Sequence, residues 1–202
     1  YSPWPRNTSF PLPGWDPDVD YSGGKGALYV DFIVDTLKNY IDSNFRTLPD
    51  RNNTAIAGSS MGAYISLFAA ILRQDVFSKV GVFSPALWFN DSAMLNFIQD
   101  NNIVENLTLY LDVGTQETSG MREDFPEIYI SGAEKLCVSL HKQRNVTMDY
   151  HLWGGNTHSE SAWAKITDDM NEYNTMLDGK WNNVVNPFQK KESGSWDIMR
   201  NW

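Results

Sequence analysis

Three kinds of side chain in this sequence could together activate a hydroxyl: Ser60, His158, and a carboxylate at Glu117 or Asp112. Ser60 is the centre of Gly58-Ser59-Ser60-Met61-Gly62. This segment lies between the strand-like Thr54-Ala55-Ile56-Ala57 and the helix-like Ala63-Tyr64-Ile65-Ser66-Leu67-Phe68-Ala69-Ala70. A serine on so tight a strand-to-helix turn is forced into strained backbone geometry, with its hydroxyl lifted off the sheet. The following helix aims its first N–H groups, that of Met61 among them, at any oxyanion forming there. The spacing therefore predicts a nucleophile. The competing reading is a glycine-rich turn whose Ser60 only caps the helix.

A serine needs a general base to attack near neutral pH, and histidine is the usual choice. The chain has three. His141 falls at the polar end of a helix and reads as solvated. His151 sits within Tyr150-His151-Leu152-Trp153, a strand, and reads as packed. His158 follows that strand through Gly154-Gly155-Asn156-Thr157, read as a loop, at the sheet edge where Ser60 emerges, so it is the expected base. An ordinary helix-start residue is the alternative. The acid should leave the preceding strand, since sites of this kind run serine, acid, histidine along the chain. Glu117, beyond the turn Gly114-Thr115-Gln116, is preferred; Asp112, inside the strand, is held as the alternative, with Glu123 and Asp124 behind it. The acid would fix the imidazole tautomer without taking its proton.

The elements that must position these groups alternate. Val30, Ile33, Val34, Leu37 and Ile41 recur at helical spacing and predict a helix from Gly24 to about Phe45. The strand before Ser60 and the helix after it, to about Arg73, come next. Strands are expected at Lys79–Phe83, Asn106–Gly114 and Val146–Trp153, and helices near Ala93–Asp100, Pro126–Arg144 and Ser159–Leu177. Strands separated by helices argue a parallel α/β sheet, with chemistry at the carboxyl ends of its strands. Residues 1–23 read as a loop lying on the fold, and residues 178–202 as a docked tail beyond a domain spanning 1–177.

Composition narrows the function classes. With 202 residues and 42% hydrophobic residues, the chain suffices for one α/β domain. A net charge of −9 disfavours nucleic acid and anionic membrane as partners. No run of apolar residues is long enough to span a bilayer. Cys137 is the single cysteine and falls with Ala133, Leu136 and Leu140 on the buried face of a helix. No Cys/His zinc spacing occurs, and the chemistry implies neither metal nor cofactor. Five N-x-S/T sequons, at Asn7, Asn52, Asn90, Asn106 and Asn145, suggest a secreted protein, with a cytoplasmic one as the alternative.

With those positions in hand, the chain resembles the putative-esterase (esterase D-like) family of α/β-hydrolases over roughly residues 1–177. The resemblance rests on Tyr1-Ser2-Pro3-Trp4, Ala57-Gly58-Ser59-Ser60-Met61-Gly62, Phe83-Ser84-Pro85-Ala86-Leu87-Trp88, Leu111-Asp112-Val113-Gly114-Thr115-Gln116-Glu117, and Gly154-Gly155-Asn156-Thr157-His158-Ser159-Glu160-Ser161-Ala162-Trp163. It implies an α/β-hydrolase fold with nucleophile Ser60, base His158 and acid Glu117, where many relatives carry Asp. Family members begin with several further strands, including the loop that supplies a second oxyanion donor. Those strands would precede Tyr1, so Met61 is the one donor assigned. The family includes feruloyl, acetyl-xylan and siderophore esterases. The expected activity is thus ester hydrolysis through an acyl-enzyme on Ser60, first on an aromatic-acyl ester of plant polysaccharide, with a siderophore ester second. Trp88, Trp153 and Trp163 are the candidate substrate contacts, against a plain packing role. A non-catalytic scaffold and an acyltransferase are the rival readings.

Overall fold

The computed structural model describes residues 2–7, 23–118 and 122–167. They fall into two compact units, Tyr1–Asn156 and Thr157–Trp202. The expected tail over 178–202 and the end of the last expected helix lie outside the described residues.

The first unit is built on a four-stranded sheet. A helical run opens it as α1 (Gly26–Asp31), a π-helical segment (Phe32–Lys38) and α2 (Asn39–Asn44). It turns Val30 and Val34 inward, as the helical spacing predicts. β1 (Ala55–Ser59) leads through Ser60 into α3 (Met61–Leu72), whose residues Ala63 to Ile71 are all buried. β2 (Lys79–Phe83) follows, then α4 (Asp91–Asp100), β3 (Leu107–Gln116), α5 (Phe125–His141) and β4 (Val146–Thr157). Asn90 starts α4, its Oδ1 accepting from the Ala93 N–H at 3.1 Å, as a polar cap should.

The strand order is β1-β2-β3-β4, so β1 and β4 are the edges among the described residues. β1 pairs parallel to β2, with Ser59 opposite Phe83, and β2 pairs parallel to β3, with Phe83 opposite Asp112. That register sets Ser60 and Ser84 just past the carboxyl ends of β1 and β2, one step beyond the level of Asp112 inside β3. α3 packs on β1 and β2, and α5 on β3 and α4. The core between them is filled by Leu67, Ile71, Val80, Val82, Leu109, Leu111 and Leu136, each at most 2% exposed. Burial of this apolar surface is the main force holding the sheet to its helices.

One expected loop is a strand. Gly154-Gly155-Asn156-Thr157 continues β4 to Thr157 instead of leaving the sheet after Trp153. Two contacts hold the extension against the end of β3. The Gly155 N–H donates to Thr115 Oγ1 at 2.8 Å. Gly114 comes so close to Asn156 that an added Cβ would lie 2.2 Å from its carbonyl oxygen. Paired glycines read as a turn in sequence; here a Cβ on Gly154 or Gly155 would meet nothing within 4 Å, and Gly114 is the glycine that permits close backbone approach.

The described part of the second unit starts a helix. Residues 160–167 are helical, and the Ser159 hydroxyl accepts from the Ala162 N–H at 3.3 Å, an N-cap contact.

Candidate active site

Ser60 occupies the turn its neighbours predict. Its backbone has φ 54° and ψ −120°, a conformation that costs an L-residue on the order of 1–3 kcal/mol and persists only where the surroundings hold it. They do so on both sides. The Ser60 N–H donates to the Phe83 carbonyl at 2.9 Å, extending the β1–β2 ladder by one step. The Ser60 carbonyl accepts from Tyr64 and Ala86, both at 3.1 Å. The two glycines of the turn have different roles. A Cβ on Gly58 would sit 2.5 Å from the Gly62 carbonyl carbon, whereas a Cβ on Gly62 would meet nothing within 4 Å. Gly58 is therefore the residue that lets strand and helix meet. Met61 opens α3, and the first N–H groups of a helix have no partner within it, which suits them to an oxyanion.

Both candidate carboxylates are buried. Asp112 and Glu117 are each 0% exposed, and Ser84 joins them. Its hydroxyl donates to Glu117 Oε1 at 2.5 Å and its N–H to Asp112 Oδ1 at 3.0 Å. Glu117 Oε1 also accepts from the Gly114 N–H at 2.8 Å. Asp112 Oδ2 accepts from the Tyr110 hydroxyl at 3.1 Å, which in turn accepts from Trp153 Nε1 at 3.2 Å. Burial pushes Asp112 up to about 7, against the hydrogen bonds from Ser84 and Tyr110, and the nearby Glu117 charge adds to the rise. Asp112 thus shares the face of β3 with Tyr110, as its strand position implies. Glu117 is fixed beyond the end of β3, where an acid of this kind is expected.

His158 belongs to the second unit, just ahead of its helix, with its ring edge-on to Trp163 at 4.9 Å and 86°. His151 is half-buried, stacked between Tyr110 and Trp153, with Nε2 3.0 Å from Asp149 Oδ1. It is the packed histidine the sequence suggests. His141 is exposed at the end of α5. Trp88 packs edge-on against Phe125, Trp153 stacks on His151, and Trp163 is 4% exposed. Cys137 faces inward on α5, and burial pushes its thiol up to about 11, so it stays protonated near neutral pH.

Sequence reasoning misses two residues of this neighbourhood. In sequence Ser84 reads only as the end of a strand; a small polar residue at that position, ahead of Pro85, is the signal that could flag it. Tyr129, on α5, is 2% exposed. Burial pushes its phenol up to about 12, against the hydrogen bonds of Trp88 and Ser60. A phenol protonated at neutral pH and placed beside the candidate nucleophile can donate to an oxygen there. Nothing in its sequence context distinguishes Tyr129 from a core tyrosine.

Among the described residues, no group of His, Cys, Asp and Glu is placed to hold a metal ion, and no helix is long and apolar enough to cross a membrane.

Comparison with known proteins bears on the fold and the family. An uncharacterized protein of Bacillus subtilis strain 168, YjcH, is 27% identical over 144 residues, covering 71% of this chain and 58% of its own length. Among solved structures, the IroE-like serine hydrolase of Shewanella oneidensis superposes with a TM-score of 0.61 at 16% identity, covering 88% of this chain and 63% of that one. The ferulic acid esterase AmCE1/Fae1A of Anaeromyces mucronatus, solved with ferulic acid, gives 0.56 at 22% identity, covering 85% and 63%. The chain spans about three-fifths of the length of these proteins. The likeness establishes the fold as that of the α/β-hydrolase esterases. A profile of the family described as "Putative esterase" matches residues 6–172, and this chain is a member of that family.

Proposed function

We propose that the protein is a serine carboxylic-ester hydrolase. The observation that carries this reading is the strained backbone of Ser60 at the junction of β1 and α3, with a buried, hydrogen-bonded Glu117 beyond the next strand but one. Neither feature is needed for a stable sheet, and both suit acyl transfer. In the proposed reaction, His158 takes the Ser60 proton as Oγ attacks the ester carbonyl, and the Met61 N–H holds the oxyanion. Glu117 orients the imidazole and stabilises its charged form. The carbonyl reforms as the alcohol leaves with the proton from His158. Water then attacks the acyl-enzyme by the same route and releases the acid.

For substrate, an aromatic acyl ester such as a feruloyl ester is the first choice. Support comes from the membership of the esterase family, the fold shared with a ferulic acid esterase, and the aromatic cluster of Trp88, Phe125 and Tyr129 next to Ser60. The test is steady-state hydrolysis of methyl ferulate, p-nitrophenyl acetate and a siderophore trilactone, with Ser60→Ala as control. Turnover that vanishes in the control supports the hydrolase. Equal rates in the two proteins would defeat it, and a preference for the trilactone would replace the feruloyl assignment.

A further inference from the structure

Ser84 is the only described non-glycine residue besides Ser60 with a positive φ, at 44°. Glycine adopts that region without steric cost, and a serine there is strained. A strained residue buried to 2% exposure and retained where glycine would be easier is expected to use its side chain. The hydroxyl is indeed engaged, donating to Glu117 Oε1 at 2.5 Å. The backbone is engaged as well, its N–H shared between the Asp112 carbonyl at 3.1 Å and Asp112 Oδ1 at 3.0 Å.

The arrangement repeats that of Ser60 one strand over. Ser60 is the first residue past β1 and donates its N–H to the last residue of β2, Phe83. Ser84 is the first residue past β2 and donates its N–H to Asp112, the β3 partner of Phe83. At both positions the backbone turns out of the ladder into the left-handed region, aiming a hydroxyl along the sheet's carboxyl edge. At the first strand that hydroxyl is the nucleophile. At the second it meets the carboxylate of Glu117 together with the Gly114 N–H, 2.8 Å from the same oxygen. Two donors converging on Oε1 fix the plane of the carboxylate and so the direction of Oε2.

We propose that Ser84 is a positioning residue for the acid of the site, a clip whose hydroxyl sets the orientation of the Glu117 carboxylate. This inference rests on the hydrolase reading for its kinetic consequence, but not for its structural one. Full-length wild type, Ser84→Gly and Ser84→Ala are compared. Both variants lack the hydroxyl, and glycine also relieves the backbone, so loss of function is separated from loss of fold. For p-nitrophenyl acetate, kcat should fall about 10- to 100-fold in both, the scale of an ångström-sized misplacement. KM should stay within about 3-fold, and the melting temperature of Ser84→Gly should be at or above that of wild type. In a Glu117→Gln background, Ser84→Gly should cost less than about 3-fold more, because clip and carboxylate act as one unit. Crystal structures should show the Glu117 carboxylate displaced or rotated in Ser84→Gly. An unmoved carboxylate, an unchanged kcat, or a full loss in the Glu117→Gln background would each overturn the proposal. Should wild type show no esterase turnover, the hydrolase reading falls, and the crystallographic comparison still decides the clip.

Discussion

Asp112 is the residue whose environment makes the sharpest thermodynamic statement. An isolated carboxyl of this type titrates at 3.8, and burial raises it to about 7 in the fold. Between those values the folded state holds a proton that the unfolded chain has lost. Stability contributed by this site therefore falls as pH rises from about 4 to about 7, the reverse of a salt-bridged carboxylate. A rise of that size corresponds to about 4 kcal/mol. Asparagine mimics the protonated form and can keep the Ser84 N–H bond. Asp112→Asn should thus match wild type near pH 4 and exceed its stability by up to about 4 kcal/mol at pH 8, read as the difference in urea midpoints. A constant difference across that range would show that Asp112 does not titrate there. Glu117 accepts from the Ser84 hydroxyl and the Gly114 N–H, and under the proposed reaction Glu117→Gln should lower kcat by about 10³–10⁴, the scale of losing the orienting acid of a triad, while leaving Ser60 in place.

Among the elements, the β1–α3 turn is the best specified and separates two glycines that the sequence presents as equals. Gly58→Ala would drive a methyl to 2.5 Å from the Gly62 backbone, and backbone cannot yield as a side-chain tip can. A loss of about 2–4 kcal/mol is expected, together with loss of any Ser60 reactivity. Gly62→Ala points into open space within α3 and should be neutral or stabilising by up to about 1 kcal/mol. Thermal unfolding of the pair checks the contrast; similar losses in both would mean that the close approach is not what the glycines serve. Much at this level is legible from pattern alone. The Lys79–Phe83 strand follows from a short apolar run, because both its faces are buried, and the inward face of the first helix follows from apolar spacing, because burial on one face imposes that spacing. The π-helical segment and the extension of β4 are not legible. The extension depends on contacts with distant chain, Gly155 with Thr115 and Gly114 with Asn156. The π-helical segment keeps the same inward apolar face as an α-helix would, so spacing does not distinguish the two. Ser84 is hidden because its importance lies in a carboxylate 33 residues away.

At the scale of the molecule, the acidic chain has a main core among its described residues that is built around α3. Leu67 and Leu109 are at most 1% exposed within that core, so truncating either to alanine should cost about 2–5 kcal/mol through lost burial and the cavity left. Stability and chemistry should separate: such variants, assayed below their melting temperatures, are expected to retain a wild-type kcat. A matched fall in kcat would show that core and site are one mechanical unit. In the proposed reaction Ser60 is a nucleophile activated by His158. Intact-mass and peptide mapping after treatment with a fluorophosphonate test it most directly. The expected result is one adduct per chain, on Ser60, formed at least about 10²-fold more slowly in His158→Ala. An adduct on another residue, or equal labelling rates with and without the imidazole, would contradict it.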